Sequence, residues 1–283
     1  MPVASPLFSV VIPTYNSAPY IERALHSVFS QEEKNFELLV SDDGSTDATI
    51  KIAEHFLAHL KSANAKIIKN HHKGPGAARN RGVLGSSGEW IAFLDSDDQW
   101  RPNKLAAVKN FISKYPKVDL WCHNEMTAKN GIEIPSAYQN SFDATVEPFL
   151  SLYRKNALST SAVTVRRSFL METNLFDETL PSAQDYDLWL RLSQRGKIEF
   201  IPEVLGQYLV RNHSISSHIS RRLGCLITIG GRYYSDLKKV SKYPLIDYLY
   251  FCARAFRSSV LDWMSSMKSK LIQKKVSCEQ RLH

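Results

Sequence analysis

A chain of 283 residues, 43% hydrophobic and 23% charged, can bury a full core and is expected to form one main domain with an extension. Cys122, Cys225, Cys252 and Cys278 have neither CxxC nor Cys/His spacing, which excludes a zinc finger and a disulfide framework; they are read as reduced thiols. The formal charge of +8 favours polyanions such as a nucleic acid, an anionic membrane surface or a phosphorylated substrate, but no stretch approaches the ~20 uninterrupted apolar residues of a membrane span.

Met1 to Phe8 lacks the basic patch and apolar run of a secretion signal, so the chain is expected to stay in the cytosol. Phe8 to Ile12 is an apolar run, interrupted only by Ser9 and closed by Pro13, the pattern of a strand buried on both faces. Ser17 is expected to cap a helix in which Ile21, Leu25 and Val28 recur at helical spacing. Phe36 to Val40 reads as a second strand, and Ile50, Ala53, Leu57 and Leu60 as the stripe of a second helix. Ile67 and Ile68 mark a third strand, Gly76 to Leu84 a helix, and Trp90 to Leu94 a fourth strand. A helix from Asn103 to Tyr115 and a fifth strand from Val118 to Cys122 follow. After a turn at Asn130-Gly131 the alternation breaks down. An extended run from Ser159 to Val165, a helix from Tyr186 to Gln194 and a strand from Glu199 to Leu209 complete the pattern.

This alternation implies βαβ units and an α/β fold, a mainly parallel sheet with helices on both faces, which binds ligands beyond the C-terminal ends of its strands. The segments there are Pro13 to Asn16, Ser41 to Asp47, Lys73 to Asn80 and Asp95 to Asp98. An aromatic ring, an acid and an arginine on one edge suit a nucleotide. Asp95, Asp97 and Asp98 repel one another unless a cation or protonation neutralises them, and hard oxygen donors suit a divalent metal. Taken alone, the acid cluster reads equally well as an acidic turn ahead of the next helix.

The pieces VVIPTYN (Val10 to Asn16), SDDGSTD (Ser41 to Asp47), GPGAARNRG (Gly74 to Gly82), FLDSDD (Phe93 to Asp98) and QDYDLWLRL (Gln184 to Leu192) stand in one order. In this the sequence resembles family 2 of the glycosyltransferases, from about residue 7 to 216. The resemblance implies the GT-A nucleotide-sugar-binding fold and inverting transfer from a nucleotide-diphosphate sugar, a uridine donor foremost. It assigns Pro13, Tyr15, Asp43, Arg79, Asp95 and Ser96 to substrate binding, with Tyr15 stacked on the base and Asp43 hydrogen-bonded to it. It gives Asp97 and Asp95 to a metal, manganese or magnesium, with His213 as a further ligand. Asp47 reads better as a helix cap.

Inverting transfer needs a base for the acceptor hydroxyl. Asp185, the second acid of the family's Glu-Asp pair, is the candidate, with Asp187 as runner-up. Gln184 stands where the family commonly has Glu, which removes a neighbouring charge and leaves Asp185 a weaker base. That departure keeps open a non-catalytic protein that binds nucleotide sugar or glycan. A dinucleotide oxidoreductase is disfavoured because Gly74-Pro75-Gly76 is not in the first βα turn. No QxxRW-like segment is present, so single additions are expected.

The division expected is a transferase domain over 1–216 and a helical extension over 217–283. Between Arg221 and Lys275, basic residues interleave with Tyr233, Leu245, Tyr248, Phe251, Phe256 and Trp263, a pattern that suits a helix lying on a membrane better than an RNA platform. The partners expected are a nucleotide-diphosphate sugar, a glycan or lipid-linked acceptor and the cytoplasmic face of a membrane, with no nucleic acid.

Overall fold

The computed structural model describes residues 5–60, 64–129, 131–210 and 219–260. These fall into two compact units. One runs up to Thr179 and resumes over Gln184–Leu209; the other comprises Leu180–Ala183 and the described residues from Val210 on.

In the first unit, β1 (Phe8–Thr14), β2 (Phe36–Asp42), β3 (Ala65–Lys69) and β4 (Trp90–Phe93) alternate with α1 (Ile21–Phe29), α2 (Thr49–Leu60) and α3 (Pro75–Leu84). Then come β5 (Gln99–Trp100), α4 (Lys104–Lys114), β6 (Leu120–Lys129), β7 (Ile132–Ser136), α5 (Pro148–Arg154), β8 (Val163–Arg166), α6 (Arg167–Met171), α7 (Gln184–Ser193) and β9 (Ile198–Leu209). The sheet order is β3-β2-β1-β4-β8-β6-β9-β5, with β7 paired to β6.

The β3-β2-β1-β4 half is parallel, as the alternation implies. Beyond it β8 runs antiparallel to both β4 and β6, while β6 and β9 pair parallel, so antiparallel strands are mixed into a mainly parallel sheet. The run expected to be extended from Ser159 opens instead with a 3-10 turn, Thr160–Ala162, before β8. Period-2 alternation loads both faces of the parallel half. Phe8, Val10 and Ile12 join Leu38, Val40, Trp90 and Ala92 in the core beneath α1, α2 and α4. On the other face α3 lies so close to β1 that a Cβ at Gly82 would sit 2.4 Å from Val11 Cγ1, and only glycine allows that approach.

Ser17 does not cap α1. Its carbonyl accepts the N–H groups of Tyr20 and Ile21, while its hydroxyl bonds the Tyr15 carbonyl and Ser96. β1 pairs β4 only as far as Val11 with Phe93, so Pro13, which has no N–H, lies past that ladder. Register pairs Thr14 with Asp42 and Val11 with Phe93, and this brings Tyr15, Asp43 and Asp95 to one sheet edge.

The second unit contains α8 (Ile219–Arg232), α9 (Tyr234–Val240) and a helix over residues 244–260. Among the described residues no helix is long and apolar enough to cross a membrane. Cys122, Cys225 and Cys252 are unpaired thiols.

Candidate active site

Two loops build one end of the edge. Asp42 closes the turn after β2, with Oδ2 accepting the N–H groups of Gly44 and Ser45 at 3.0 and 2.9 Å. Asp47 accepts the Thr49 N–H at 3.0 Å at the start of α2, as expected of a cap, and its other oxygen accepts the Ala18 N–H at 3.1 Å. Asp43 is buried, and its carboxylate clamps the glycine-rich loop by accepting the Lys73 and Gly74 N–H groups at 2.9 and 2.8 Å. Gly74 adopts φ +99°, which an L side chain rarely takes, and this turns the chain into α3.

His72, which its position marks only as a loop residue, joins this group. Its Nδ1 lies 2.7 Å from Asp43 Oδ2, and its ring stacks on Tyr15 with centroids 4.3 Å apart. Tyr15 is exposed. The structure therefore presents the Tyr15 ring at the edge but covers one of its faces with His72.

The acid cluster divides. Asp98 turns inward, where Ser161 Oγ donates to Oδ2 at 2.5 Å and the Leu209 N–H to Oδ1 at 2.9 Å. Burial, reinforced by the charges of Asp97, Glu125 and Asp95, raises the Asp98 pKa well above the carboxylate range. Asp95 and Asp97 stay half-buried at the edge, while Ser96 between them is buried, with its Oγ 2.7 Å from Ser17 Oγ. Three carboxylates do not converge, and the described residues hold no group of three or more ligands fit to enclose a metal. Two oxygen-donor carboxylates at a rim still fit a hard cation that takes its remaining ligands from a diphosphate and water.

Arg79 ties this rim together. It is buried in α3, its Nη2 donates to Asp95 Oδ1 at 2.6 Å, and its guanidinium lies 5.5 Å from the Phe176 ring centre. Burial alone would lower its pKa, but Asp95 first, then Asp185 and Asp97, raise it. Three site carboxylates thus act on one cation. Arg79 Nε and, at the end of β1, Thr14 Oγ1 are buried without a hydrogen-bond partner among the described residues.

Asp185 stands in the first turn of α7, half-buried, with Thr160 Oγ1 donating to Oδ2 at 3.2 Å. Ala183, two residues before it, takes φ +59°. Gln184 is buried, with its Cγ 3.3 Å from where a Cβ at Gly76 would lie. A neutral amide costs less than a carboxylate in such a place. Asp187, the runner-up base, is fully buried and paired through Oδ2 with Arg191, at 3.1 Å to Nε and 3.0 Å to Nη2. Arg191 also donates to the carbonyls of Thr173 and Leu175. Asp187 thus anchors α7 and is not open to an acceptor. His213 lies outside the described residues.

The 3-10 turn at Thr160–Ala162 has no signature in the sequence, yet it touches both halves of the site. Thr160 holds Asp185. The next residue, Ser161, accepts the Asp95 N–H at 3.0 Å and donates to Asp98, while its carbonyl accepts Trp100 Nε1–H at 2.8 Å. Tyr208, near the end of β9, also faces the acids: burial first, then Asp98, Asp97 and Asp95, push its phenol pKa up.

Behind the acids lies a buried polar group. Lys104 Nζ donates to Thr164 at 2.9 Å and sits 3.7 Å from the Trp100 ring centre, and burial depresses its pKa. Burial lowers that of His123 to about 3. Tyr138 OH donates to Glu125 Oε2 at 2.8 Å, and burial raises the Glu125 pKa to about 7. Between its ordinary 4.5 and about 7, folded Glu125 keeps a proton that the unfolded chain has lost. Its stabilising share is complete below that interval and is lost as pH rises through it. Glu125→Gln is therefore expected to gain on the parent protein, by a few kcal/mol, as pH rises from about 5 to 8. Urea denaturation across that range checks this; a stability difference independent of pH would refute it.

A parallel half-sheet with an aromatic, an arginine and paired acids beyond its strand ends, continued by further strands and helices, is the architecture of the GT-A fold. The Glycosyl transferase family 2 model matches residues 9–174, and the chain belongs to that family. An uncharacterized glycosyltransferase of Rickettsia felis is 32% identical over 199 residues, covering 70% of this chain and 32% of the relative. Poly(ribitol-phosphate) beta-N-acetylglucosaminyltransferase TarS of Staphylococcus aureus is 33% identical over 184 residues, 63% of this chain and 31% of that one. The chain thus spans about a third of the length of these relatives.

The crystal structure of TarS residues 1–349 with UDP-GlcNAc superposes with a TM-score of 0.68 at 24% identity, covering 85% of this chain and 69% of that one. Mannosyltransferase PcManGT from Pyrobaculum calidifontis, in complex with GDP-Man and Mn2+, gives 0.66 at 17% identity, covering 98% of this chain and 81% of that one. At these identities the likeness concerns the fold.

Proposed function

We propose that this chain is an inverting glycosyltransferase that moves one sugar from a nucleotide-diphosphate sugar, a UDP-sugar foremost, to a hydroxyl of a glycan or lipid-linked acceptor in cell-surface polysaccharide assembly. The observation that carries this reading is the ion pair of Arg79 with Asp95 at 2.6 Å, on the edge where Tyr15 is presented, with Asp185 and Asp97 adding to the negative field on the same guanidinium. Asp185 takes the proton of the acceptor hydroxyl as its oxygen attacks the anomeric carbon opposite the leaving diphosphate, with Thr160 holding the carboxylate in place. Asp97 and Asp95 would hold the divalent cation, manganese or magnesium, which when bound neutralises charge on the diphosphate. The names of TarS and of the Bacillus subtilis relative GgaA, a minor teichoic acid biosynthesis protein, support the acceptor class.

Incubation with a panel of UDP-, GDP- and dTDP-sugars plus manganese, followed by mass spectrometry, tests this without an acceptor. Slow release of nucleoside diphosphate from one donor class, abolished by Asp97→Asn, is expected. Donor binding with no release from any donor, and no difference between the parent protein and Asp185→Asn with any acceptor, would identify a non-catalytic binder, the reading that Gln184 keeps open.

A further inference from the structure

We propose that the outer face of the helix over residues 244–260 docks onto an anionic lipid surface. The helix buries its less apolar side: Asp247, Phe251, Ala255 and Ser259 are buried. Asp247 accepts a hydrogen bond from Ser241 Oγ at 2.5 Å, and Phe251 packs where a Cβ at Gly230 would lie 2.7 Å from its ring. The exposed side carries Leu245, Ile246, Leu249, Tyr250, Phe256 and Val260, with Ile246 and Phe256 63% and 61% exposed. At 3.6 residues per turn these side chains span an arc of about 140°. A helix of a soluble protein turns such a stripe inward; this one turns it out.

Charge chooses the occupant. In residues 242–260 the only acid is the buried Asp247, whereas the cations are Lys242, Arg254 and Arg257. On the helical wheel Arg254 borders the apolar arc just past Tyr250, and Arg257 lies within that same edge, between Ile246 and Tyr250. Arg254 lies 5.9 Å from the Tyr250 ring centre and Lys242 5.3 Å from that of Tyr243, pairing each cation with an aromatic as at a membrane interface. An apolar arc with a cationic border complements acyl chains beneath anionic headgroups. A second copy would bring two cationic borders together. The remaining sequence, 261–283, carries Lys268, Lys270, Lys274, Lys275 and Arg281 against Asp262 and Glu279, so it would add positive charge rather than neutralise it.

The test is sedimentation of the full chain, without sugar donor, with vesicles of phosphatidylcholine alone or of equal parts phosphatidylcholine and phosphatidylglycerol. Binding to the anionic vesicles is expected to exceed that to neutral ones by about tenfold or more and to weaken in high salt. Leu249→Glu with Phe256→Glu should abolish it, and Arg254→Glu with Arg257→Glu should reduce it at least about tenfold. All four positions border solvent, and circular dichroism should show both variants folded. The proposal is overturned if the parent protein stays in the supernatant with anionic vesicles, or if the Leu249/Phe256 variant sediments as the parent does. It is equally overturned if sedimentation velocity shows a dimer that this variant dissolves, which would assign the face to a second copy. Because no turnover is read, failure here leaves the transferase reading intact.

Discussion

Asp185→Asn is expected to lower sugar transfer by about 10²–10⁴-fold with donor affinity unchanged, the signature of a base that acts on the acceptor only as the reaction proceeds. The exchange is close to isosteric, so its Oδ can still accept from Thr160 Oγ1 or from the Tyr186 N–H, the two donors on Asp185 at 3.2 and 2.8 Å. The two halves of the prediction are read separately, turnover with acceptor and donor affinity by calorimetry. A fall of less than about tenfold would place the base elsewhere, and Asp187 could not replace it, being buried on Arg191. Loss of donor binding instead would make Asp185 part of the charge set balanced by Arg79, which senses it electrostatically.

The edge itself was legible in the sequence. Largely apolar runs, broken by Ser9 in β1 and Glu37 in β2, mark β1, β2 and β4 as buried parallel strands, and parallel strands put Tyr15, Asp43 and Asp95 on one side by geometry alone. What the sequence could not divide was the acid cluster. Asp97 and Asp98 are the same residue type in adjacent positions, and the inward turn of Asp98 is decided by Ser161 and the Leu209 N–H, both distant in the chain. The extended run expected from Ser159 reaches β8, but neither the 3-10 turn that opens it nor its antiparallel direction could be read, because so few residues carry no period. His72, Tyr208 and Glu125 are lone polar residues whose surroundings, not their spacing, give them their place. Ser17, by contrast, was a good local cap that tertiary contact overrode: its hydroxyl meets Ser96 instead.

Arg79→Met is expected to destabilise the metal-free protein by about 3 kcal/mol or more, because removing one member of a buried pair strands the other's charge. Methionine retains much of the apolar stem against Phe176 but supplies no cation to Asp95, Asp97 and Asp185. The low end of the usual cost applies because the Asp95 side chain is 30% exposed and partly hydrated. A divalent cation held by Asp95 and Asp97 would supply part of the missing positive charge, and any ligand that binds only the folded chain stabilises it. Millimolar manganese should therefore raise the melting temperature of Arg79→Met more than that of the parent protein, with EDTA reversing the gain in both. An unchanged melting temperature in the variant would remove Arg79 as the counter-charge. A manganese shift equal in the two proteins would mean that Arg79 and the cation do not answer the same carboxylates, and that the rim separates the charge it balances at rest from the charge it balances with a diphosphate in place.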